Sequence, residues 1–434
     1  MLEKRSLENK PIVVESLPQE IKEGSTFIIA QSNPNSFTHG YFKYPCKFIP
    51  EIPRWAIRTY LENEGGIIFD PFSGSGTTLL EGILHNCDTY GTEIDGIAKL
   101  IIKVKCTPLS EDQLNKMDSL INEFTEKIND ENVTPIIPEI NNITHWFPKE
   151  NIKKMGRIRR LIELIYDNDI KDFFKVCFVS IIKKCSYADD ISPKPYVSSR
   201  IKKIPGEPIV EFLNTFNKYR DSMIQLSEQN IEKKAVIVEG DALKVKFDKK
   251  ANLIITSPPY INAFDYGRTL RLENLWLGIL NEGELRNKKK LYVGTENIIV
   301  KEEETNLSIL KDSILLRKYF EGIYTIDKKR ALIVKKFFDD MKSNLTEMNK
   351  ILQSNGYYCI VIGNSSIRKI EIESWKVLAE IAHTLGYKVE TYFNYIIQNP
   401  YIRIPRNGRG GKINIDYVLV LKKAYKGDLY GSGK

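Results

Sequence analysis

The chain has 434 residues, of which 42% are apolar and 28% are charged, and its net charge is +8. This composition is that of a globular protein of two or three structural units, and the moderate positive charge permits a polyanionic partner without requiring one. No stretch approaches the roughly 18 apolar residues of a membrane span, and the first residues lack the apolar segment of a secretion signal. Six scattered cysteines without a Cys-x-x-Cys pair, and four isolated histidines, indicate reduced thiols and no zinc site. We therefore expect a cytoplasmic protein without a metal.

The first hundred residues predict one βαβ unit. Residues 1–35 show little periodicity and are expected to form an arm, and residues 36–50 are aromatic and punctuated by proline. The pattern then predicts a helix over 53–62, a strand over 66–70, a helix over 76–85 and a strand over 89–93. An acidic residue, Glu93, follows the glycine turn by about 20 positions, which is the spacing of dinucleotide-type sites.

The sheet pattern then stops, and residues 99–234 predict a helical insertion. Apolar residues recur at helical spacing over 114–128, 149–166, 170–187 and 209–231. Lysines and arginines are clustered in this block, and its loop over 189–208 is polar and rich in proline. The block is far longer than an ordinary connection between a strand and a helix.

The sheet pattern resumes at residue 235. The predicted elements are strands over 235–241 and 252–256, a helix over 266–280, an irregular charged region over 281–328, a helix over 329–352, a strand over 357–362, a helix over 373–385, and strands over 388–397 and 413–421. A basic loop over 399–412 carries Arg403, Arg406 and Arg409. The alternation predicts an α/β fold, in which ligands bind at the carboxyl ends of the parallel strands.

The first loop of chemical interest joins a strand to a helix. It reads Asp70-Pro71-Phe72-Ser73-Gly74-Ser75-Gly76-Thr77-Thr78. Gly74 and Gly76 permit positive φ and a close approach of the backbone to a ligand, and the helix that follows presents free N–H groups. The loop lacks the lysine of a Walker sequence, which disfavours a nucleoside triphosphate. Glu93 suits two ribose hydroxyls and Asp241 suits an exocyclic amine, so this set would hold S-adenosylmethionine.

The second loop, Thr256-Ser257-Pro258-Pro259-Tyr260, follows another buried strand. The Ser257 hydroxyl and the Pro258 carbonyl can accept hydrogen bonds from an amino group, and the two prolines fix the backbone. Tyr260 offers a face on which a base can stack. The strand does not end in a Pro-Cys nucleophile, so methylation at cytosine C5 is excluded.

Together the two loops resemble motifs I and IV of the amino-methylating DNA methyltransferases, and residues 43–50 resemble the segment that precedes motif I in that family. The resemblance covers about residues 36–98 and 235–421. It implies a Rossmann-like S-adenosylmethionine-dependent methyltransferase sheet, here with a helical insertion. It implies contacts with the cofactor by Lys47, Phe48, Asp70, Pro71, Phe72, Gly74, Gly76, Thr77, Glu93 and Asp241. It implies catalytic roles for Ser257, Pro258, Pro259 and Tyr260.

The resemblance implies methylation of an exocyclic amine on a base flipped out of double-stranded DNA. Serine at the first position of the second loop is commoner among N4-cytosine enzymes, whereas aspartate or asparagine is commoner among N6-adenine enzymes. Ser257 therefore favours N4 of cytosine over N6 of adenine. By family analogy the setting is protection of host DNA from a paired restriction endonuclease that cuts the same site.

The expected organisation is an arm over 1–35, a cofactor-binding half over 36–98, the insertion over 99–234, a catalytic half over 235–425 and a tail over 426–434. The insertion and residues 281–328 are the candidate DNA-recognition regions. Alternative readings are an RNA or tRNA base methyltransferase, a catalytically inactive DNA-binding subunit with a degenerate fold, and a small-molecule methyltransferase. The filled catalytic loop argues against the last two.

Overall fold

A computed structural model describes residues 10–30, 35–45, 47–61, 65–200, 202–261, 266–398 and 414–424. The basic loop predicted over 399–412, with its three arginines, and the tail over 426–434 lie outside the described residues. Among the helices described, none is both long and apolar enough to cross a membrane. The described residues also contain no cluster of three or more histidine, cysteine, aspartate or glutamate side chains suited to a metal ion.

The strands in the described part of the chain are β1 (Ile12–Val14), β2 (Thr26–Ile29), β3 (Gly66–Asp70), β4 (Cys87–Gly91), β5 (Ala235–Ile237), β6 (Gly240–Asp241), β7 (Lys244–Val245), β8 (Ala251–Thr256), β9 (Leu352–Gly363), β10 (Ser365–Ile367), β11 (Ile370–Ile372), β12 (Tyr387–Ile396) and β13 (Ile415–Lys423). The strands β3 and β8 are nearly continuous apolar runs, as expected for parallel strands that are buried on both faces.

The helices described are α1 (Glu51–Tyr60), α2 (Thr77–Leu84), α3 (Gly96–Lys105), α4 (Glu111–Lys127), α5 (Ile143–Trp146), α6 (Lys149–Glu163), α7 (Asn168–Ile182), α8 (Pro208–Ser227), α9 (Tyr266–Thr269), α10 (Arg271–Leu277), α11 (Glu282–Lys288), α12 (Val300–Thr305), α13 (Ile314–Tyr324), α14 (Lys328–Ile351) and α15 (Ser374–Thr384). Several begin at residues suited to capping. The Asp95 side chain accepts from the first N–H groups of α3, and Ser110 and Gln113 form a capping box on α4.

Nine of the described strands form one sheet in the order β1-β2-β12-β13-β9-β8-β3-β4-β5. Neighbouring strands are parallel except at β13, which runs antiparallel to both β12 and β9. The order β5-β4-β3-β8-β9 is that of a doubly wound sheet whose strand order reverses between β3 and β8. This α/β architecture confirms the Rossmann-like fold predicted from the sequence.

Helices cover both faces of the sheet. Alternate residues of β9 point to opposite faces: Ile360 joins the cluster under α14 and α15, whereas Val361 joins the cluster under α1. The helical block packs on α2 and α3, and its aromatic residues Phe174 and Phe212 share one hydrophobic core with Leu80 of α2. The block is thus seated on the helices that follow the first glycine loop.

Four regions differ from the sequence-based assignments. The helix predicted over 266–280 divides into α9 and α10. Within the expected arm, β1 and β2 extend the sheet, but three or four residues are too short a run to show strand periodicity. The strand predicted over 235–241 divides into β5, which ends at Ile237, and β6, which begins at Gly240 and pairs with β7 in a separate hairpin. Residues 281–328 contain α11, α12 and α13, whose periodicity is masked by the many charges around them.

Candidate functional site

The two loops predicted from the sequence meet at one edge of the sheet. Asp70 is the last residue of β3, Thr256 is the last residue of β8, and Glu93 lies two residues beyond β4. These three parallel strands are adjacent, so their carboxyl ends lie side by side at the point where the strand order reverses. Both loops therefore start from the same edge.

The glycine loop is held in a conformation that only glycine adopts without strain. Gly74 has a φ of +51° and Gly76 a φ of +78°, and Gly76 caps α2. A Cβ on Gly74 would lie 3.3 Å from Cε1 of Tyr44, and one on Gly76 would lie 3.0 Å from Cγ1 of Ile102. The loop is thus closely covered by the segment that precedes β3 and by α3.

Glu93 is bound to the glycine loop through its carboxylate. Its Oε2 accepts from the N–H of Gly74 at 2.9 Å, and its Oε1 accepts from the N–H groups of Ile94 and Asp95, each at 2.8 Å. Burial raises the pKa of Glu93 to about 7, and these backbone hydrogen bonds act in the opposite direction. A carboxylate oxygen has two lone pairs, so Oε2 can still accept from a ribose hydroxyl.

Two buried hydroxyls at the glycine loop also suit a polar ligand. Ser75 is 3% exposed and Thr77 is 3% exposed. Neither Ser75 Oγ nor Thr77 Oγ1 has a hydrogen-bond partner in the described part of the chain. Together with the Glu93 carboxylate and the close approach at Gly74, these polar atoms fit the amino-acid and ribose groups of S-adenosylmethionine.

Asp70 joins the two loops. Its carboxylate is 1% exposed, and Oδ1 accepts from the N–H of Phe72 at 3.0 Å and from Thr256 Oγ1 at 2.6 Å. Thr78 Oγ1 reinforces the link by donating to the carbonyl of Ile255 at 3.3 Å. Burial raises the pKa of Asp70 to about 6, although the hydrogen bonds to its carboxylate oppose that shift. The first loop is therefore fastened to the residue that immediately precedes Ser257.

The second loop, over residues 257–260, leaves β8 at this same place. Pro258 is buried, whereas Ser257, Pro259 and Tyr260 are partly exposed. The Tyr260 hydroxyl donates to Asp416 Oδ1 at 2.8 Å. The rigid part of the loop is thus enclosed, and its serine and aromatic ring lie at the surface of the sheet edge.

Asp241 lies in the hairpin formed by β6 and β7. Its Oδ1 accepts from the N–H groups of Leu243 and Lys244, at 2.8 and 3.0 Å, and so closes the hairpin turn. The chain reaches this hairpin directly from β5, and the N–H of Val238 donates to the carbonyl of Gly91 at 2.9 Å. Asp241 therefore follows the strand that lies next to β4.

The other residues predicted to contact the cofactor lie in the glycine loop or in the segment before β3. Pro71 is buried, and Phe72 is partly buried against the cluster under α14. Lys47 donates its amino group to the carbonyl of His39 at 2.7 Å, and Phe48 is 8% exposed within the cluster under α1. The Lys47 contact and the Phe48 packing order the segment before β3.

Sequence reasoning missed a lysine that supports the glycine loop. Lys105, the last residue of α3, is fully buried, and its amino group donates to the carbonyl of Ser75 at 2.8 Å. Burial lowers the pKa of Lys105 to about 7. The available signal was a lysine at an apolar position of a helix, three and four residues after Ile102 and Ile101.

A buried ion-pair network was also missed. Glu81 of α2 is fully buried; its Oε1 lies 2.8 Å from His39 Nε2 and accepts from Arg54 Nη2 at 2.7 Å. Burial lowers the pKa of His39 to about 4. The network ties α1 and the segment before it to the helix that opens at the glycine loop.

The basic residues of the helical block make many contacts within the protein. Lys154 pairs with Glu207 at 2.7 Å, and Lys203 pairs with Asp190 at 2.7 Å. Three further arginines, Arg157, Arg159 and Arg160, donate to backbone carbonyl oxygens. These contacts compensate part of the positive charge that a phosphate-binding surface would use.

Comparison with known proteins finds similarity to DNA methyltransferases. The family model described as DNA methylase matches residues 3–104. The chain is 26% identical over 428 residues to the type II methyltransferase M.MvaI of Kocuria varians, covering 92% of this chain and 93% of that protein. It is 25% identical to the type II methyltransferase M.BsoBI of Geobacillus stearothermophilus (67% and 62% covered) and 22% identical to M.AvaI of Anabaena variabilis (83% and 81%).

The matched region over 3–104 includes the glycine loop and Glu93, and the match to M.MvaI extends over nearly the whole chain. The order of the sheet and the meeting of the two loops at its edge agree with these matches. The chain is therefore similar to the family described as DNA methylase over residues 3–104, and to type II methyltransferases over most of its length.

Proposed function

We propose that this DNA methyltransferase acts on the exocyclic N4 of cytosine in double-stranded DNA, at a specific sequence. The observation that carries the proposal is the Ser257-Pro258-Pro259-Tyr260 loop, joined to the glycine loop through the 2.6 Å hydrogen bond between Thr256 and Asp70. That hydrogen bond fixes the position of a base-binding loop relative to a cofactor-binding loop. Methyl transfer needs this fixed position, because the attacking amine must lie in line with the bond between the methyl group and sulfur.

On the base side, the loop residues accept hydrogen bonds from the amino group. The amine's lone pair is delocalised into the base ring, so the nitrogen must become pyramidal before it can attack. The Ser257 hydroxyl and the Pro258 carbonyl favour that geometry by accepting the amine's N–H groups. Tyr260 stacks against the flipped base, whose extrusion costs roughly a few kcal/mol.

On the cofactor side, S-adenosylmethionine when bound supplies a methyl group on a sulfonium centre, whose C–S bond breaks with its electrons retained by sulfur. We assign the ribose hydroxyls to Glu93 and the adenine amine to Asp241. Gly74 and Gly76 allow the backbone to approach, and Phe72 lines the site. Lys47, Phe48, Pro71 and Thr77 complete the proposed lining, and Asp70 acts by holding the loop. The amine gains the new C–N bond and loses one proton to solvent.

The choice of cytosine rests on Ser257, because serine at this position is commoner among N4-cytosine enzymes. Methylation of adenine at N6 is the second candidate, because serine accepts a hydrogen bond from either amine. We further propose that the enzyme works in the cytoplasm as the modification partner of a restriction endonuclease with the same site. The type II relatives support that setting.

For the domains, we retain residues 36–98 and 235–425 as the two halves of the catalytic domain. Residues 99–234 and 281–328 remain the candidate regions for DNA recognition. An RNA methyltransferase is the main competitor outside this proposal, and the DNA methylase match over 3–104 argues against it.

Nucleoside mass spectrometry tests the proposal. The protein is incubated with unmethylated genomic DNA and S-adenosylmethionine, the DNA is digested, and modified nucleosides are measured. We expect N4-methylcytosine above the level produced by the Ser257→Ala variant. N6-methyladenine would overturn the use of Ser257 to choose the base, and methylation of total RNA with unmodified DNA would support the RNA reading.

Cofactor affinity is expected to depend on pH through Glu93. Burial raises the pKa of Glu93 to about 7, and its ionised form is the better acceptor for ribose hydroxyls. Lowering the pH from 8 to 6 should therefore weaken S-adenosylmethionine binding by about tenfold, the change in ionised fraction across a pKa near 7. In Glu93→Gln, binding should be weaker at pH 8 and nearly independent of pH. Isothermal titration calorimetry measures both.

The stability of the ligand-free protein should also depend on pH through Glu93. Because the pKa of Glu93 is raised above its unfolded value of 4.5, its contribution to stability is present below about pH 4.5 and is lost as the pH rises through 7. Glu93→Gln should therefore gain stability relative to the wild type between pH 5 and pH 8. The surface variant Glu228→Gln, at the end of α8, should follow the wild type in both measurements. A wild-type pH profile in Glu93→Gln would contradict the assignment.

A further inference from the structure

The reversed strand of the sheet brings a buried carboxylate to the catalytic loop. Because β13 runs antiparallel to β9 and β12, its first residues lie at the edge where those strands end. Asp416 pairs in register with Gly363, the last residue of β9, and with Tyr395, near the end of β12. This is the edge at which the loop containing Tyr260 leaves β8.

Asp416 is 6% exposed, and each of its carboxylate oxygens has a tyrosine donor. The Tyr260 hydroxyl donates to Oδ1 at 2.8 Å, and the Tyr395 hydroxyl donates to Oδ2 at 3.0 Å. Hydrogen bonds to an ionised acceptor are roughly twice as strong as neutral ones. Burial raises the pKa of Asp416, and the two tyrosine hydroxyls hold it lower by stabilising the charge. The two tyrosine hydroxyls thus stabilise a buried carboxylate.

The second partner, Tyr395, is buried. It is 2% exposed and is part of the cluster under α1. The Tyr260 ring is partly exposed, and it packs against the cluster under α14. Asp416 therefore joins the ring of the catalytic loop to a buried tyrosine of the sheet.

We propose that Asp416 is a positioning residue for methyl transfer, which orients the Tyr260 ring to receive the flipped base. The inference rests on the proposed function, because it assigns Tyr260 to base stacking. Without the hydroxyl contact, the ring would lose one of the contacts that fix its orientation. A misplacement of about 1 Å at a reacting group can cost about 100-fold in rate.

The test compares three single variants and one double variant of the full-length protein. Asp416→Asn keeps the size of the side chain and removes its charge. Tyr260→Phe keeps the ring and removes the hydroxyl, so it tests the same contact even where Asp416→Asn fails to fold. Tyr387→Phe is the matched control, because Tyr387 is a buried tyrosine of β12, the strand that carries Tyr395, and its hydroxyl donates to the carbonyl of Leu345 at 3.0 Å. For each, kcat and KM for unmethylated genomic DNA, the Kd for S-adenosylmethionine, and Tm are measured.

Asp416→Asn and Tyr260→Phe are each expected to lower kcat/KM for DNA by about tenfold, with the Kd for S-adenosylmethionine within about twofold of the wild type. The double variant should be no worse than the more impaired single variant, since both changes act on the same contact between Tyr260 and Asp416. Tyr387→Phe should lower Tm and leave the kinetic constants unchanged.

The proposal is overturned where Asp416→Asn lowers Tm but keeps wild-type kinetics, or where the two single effects multiply in the double variant. Wild-type kinetics in Tyr260→Phe would overturn it as well. Failure of the proposed function has a different signature, because the wild-type protein itself would then leave the amino groups of DNA unmethylated.

Discussion

Replacing Ser257 with alanine is expected to lower kcat by about 100-fold or more and to leave the Kd for S-adenosylmethionine within about twofold. Ser257 follows the last residue of β8, and the following Pro258 is buried, so the backbone that carries the hydroxyl is fixed before substrate arrives. The loss of one preorganised hydrogen-bonding group of a transition state typically costs about 10²–10³ in kcat. Methyl incorporation into unmethylated genomic DNA measures kcat, and calorimetry measures cofactor binding.

The control for this variant is Ser119→Ala. Ser119 is exposed on α4, where its hydroxyl donates to the carbonyl of Asn115 at 3.4 Å, and it should retain wild-type kinetics and binding. A parallel loss of turnover and cofactor affinity in Ser257→Ala would argue against a role confined to the base. It would indicate instead that the variant deforms both loops.

Removal of Asp70 is the second change with a large expected effect, and it should act on both ligands. Asp70→Ala leaves the Phe72 N–H and the Thr256 hydroxyl without their acceptor in a buried place. Each of the two buried unpaired groups costs roughly 1–3 kcal/mol, so the free energy of unfolding should fall by about 2–6 kcal/mol. Because the carboxylate also joins the two loops, we expect weaker S-adenosylmethionine binding and slower turnover together.

Two milder variants separate the contributions of Asp70. Thr256→Val removes only the bond between the loops, so it should slow turnover while costing less stability than Asp70→Ala. Asp70→Asn keeps an acceptor and removes a buried charge. The pKa of Asp70 is raised from 3.8 to about 6, so its stability contribution is present below pH 3.8 and lost as the pH rises through 6. The stability of Asp70→Asn relative to the wild type should therefore be greatest above pH 6.

Thermal unfolding, calorimetry and turnover assays on the same preparations distinguish these cases. Wild-type turnover in Thr256→Val would show that the link between the loops has no kinetic role, and Asp70 would then be a residue of the fold alone. Loss of stability in Asp70→Ala, with both ligand constants unchanged, would lead to the same conclusion.

The helical block is more closely connected to the cofactor side than its sequence indicates. The Tyr219 hydroxyl of α8 accepts from the N–H of Phe42 at 2.7 Å, and its carbonyl accepts from the Tyr41 hydroxyl at 2.5 Å. The rings of Tyr41 and Tyr219 stack with centroids 4.3 Å apart. The helical block therefore holds the segment whose Tyr44 covers the glycine loop. If the block also binds DNA, it must do so with residues outside this contact.

The sequence by itself determined the class of fold, the two loops and the resemblance to the amino-methylating DNA methyltransferases. Each of these depends on residues that are close together in the chain: a buried strand followed by Gly74 and Gly76, and another followed by Ser257 and two prolines. Glycine at positive φ and proline in a rigid turn have local conformational causes, so their patterns can be read without a structure. The acidic Glu93 was found in the same way, through its spacing within one βαβ unit.

Only the tertiary structure decided which side chains support these loops. The contact of Asp70 with Thr256 spans 186 positions, and that of Tyr260 with Asp416 spans 156. The first depends on the adjacency of β3 and β8, and the second on the reversal of β13, neither of which the periodicity of a single strand encodes. The one local signal at Asp416 was an acid at the start of an apolar strand, where an unpaired charge would be costly to bury. Strand order supplied the partner that such a charge requires.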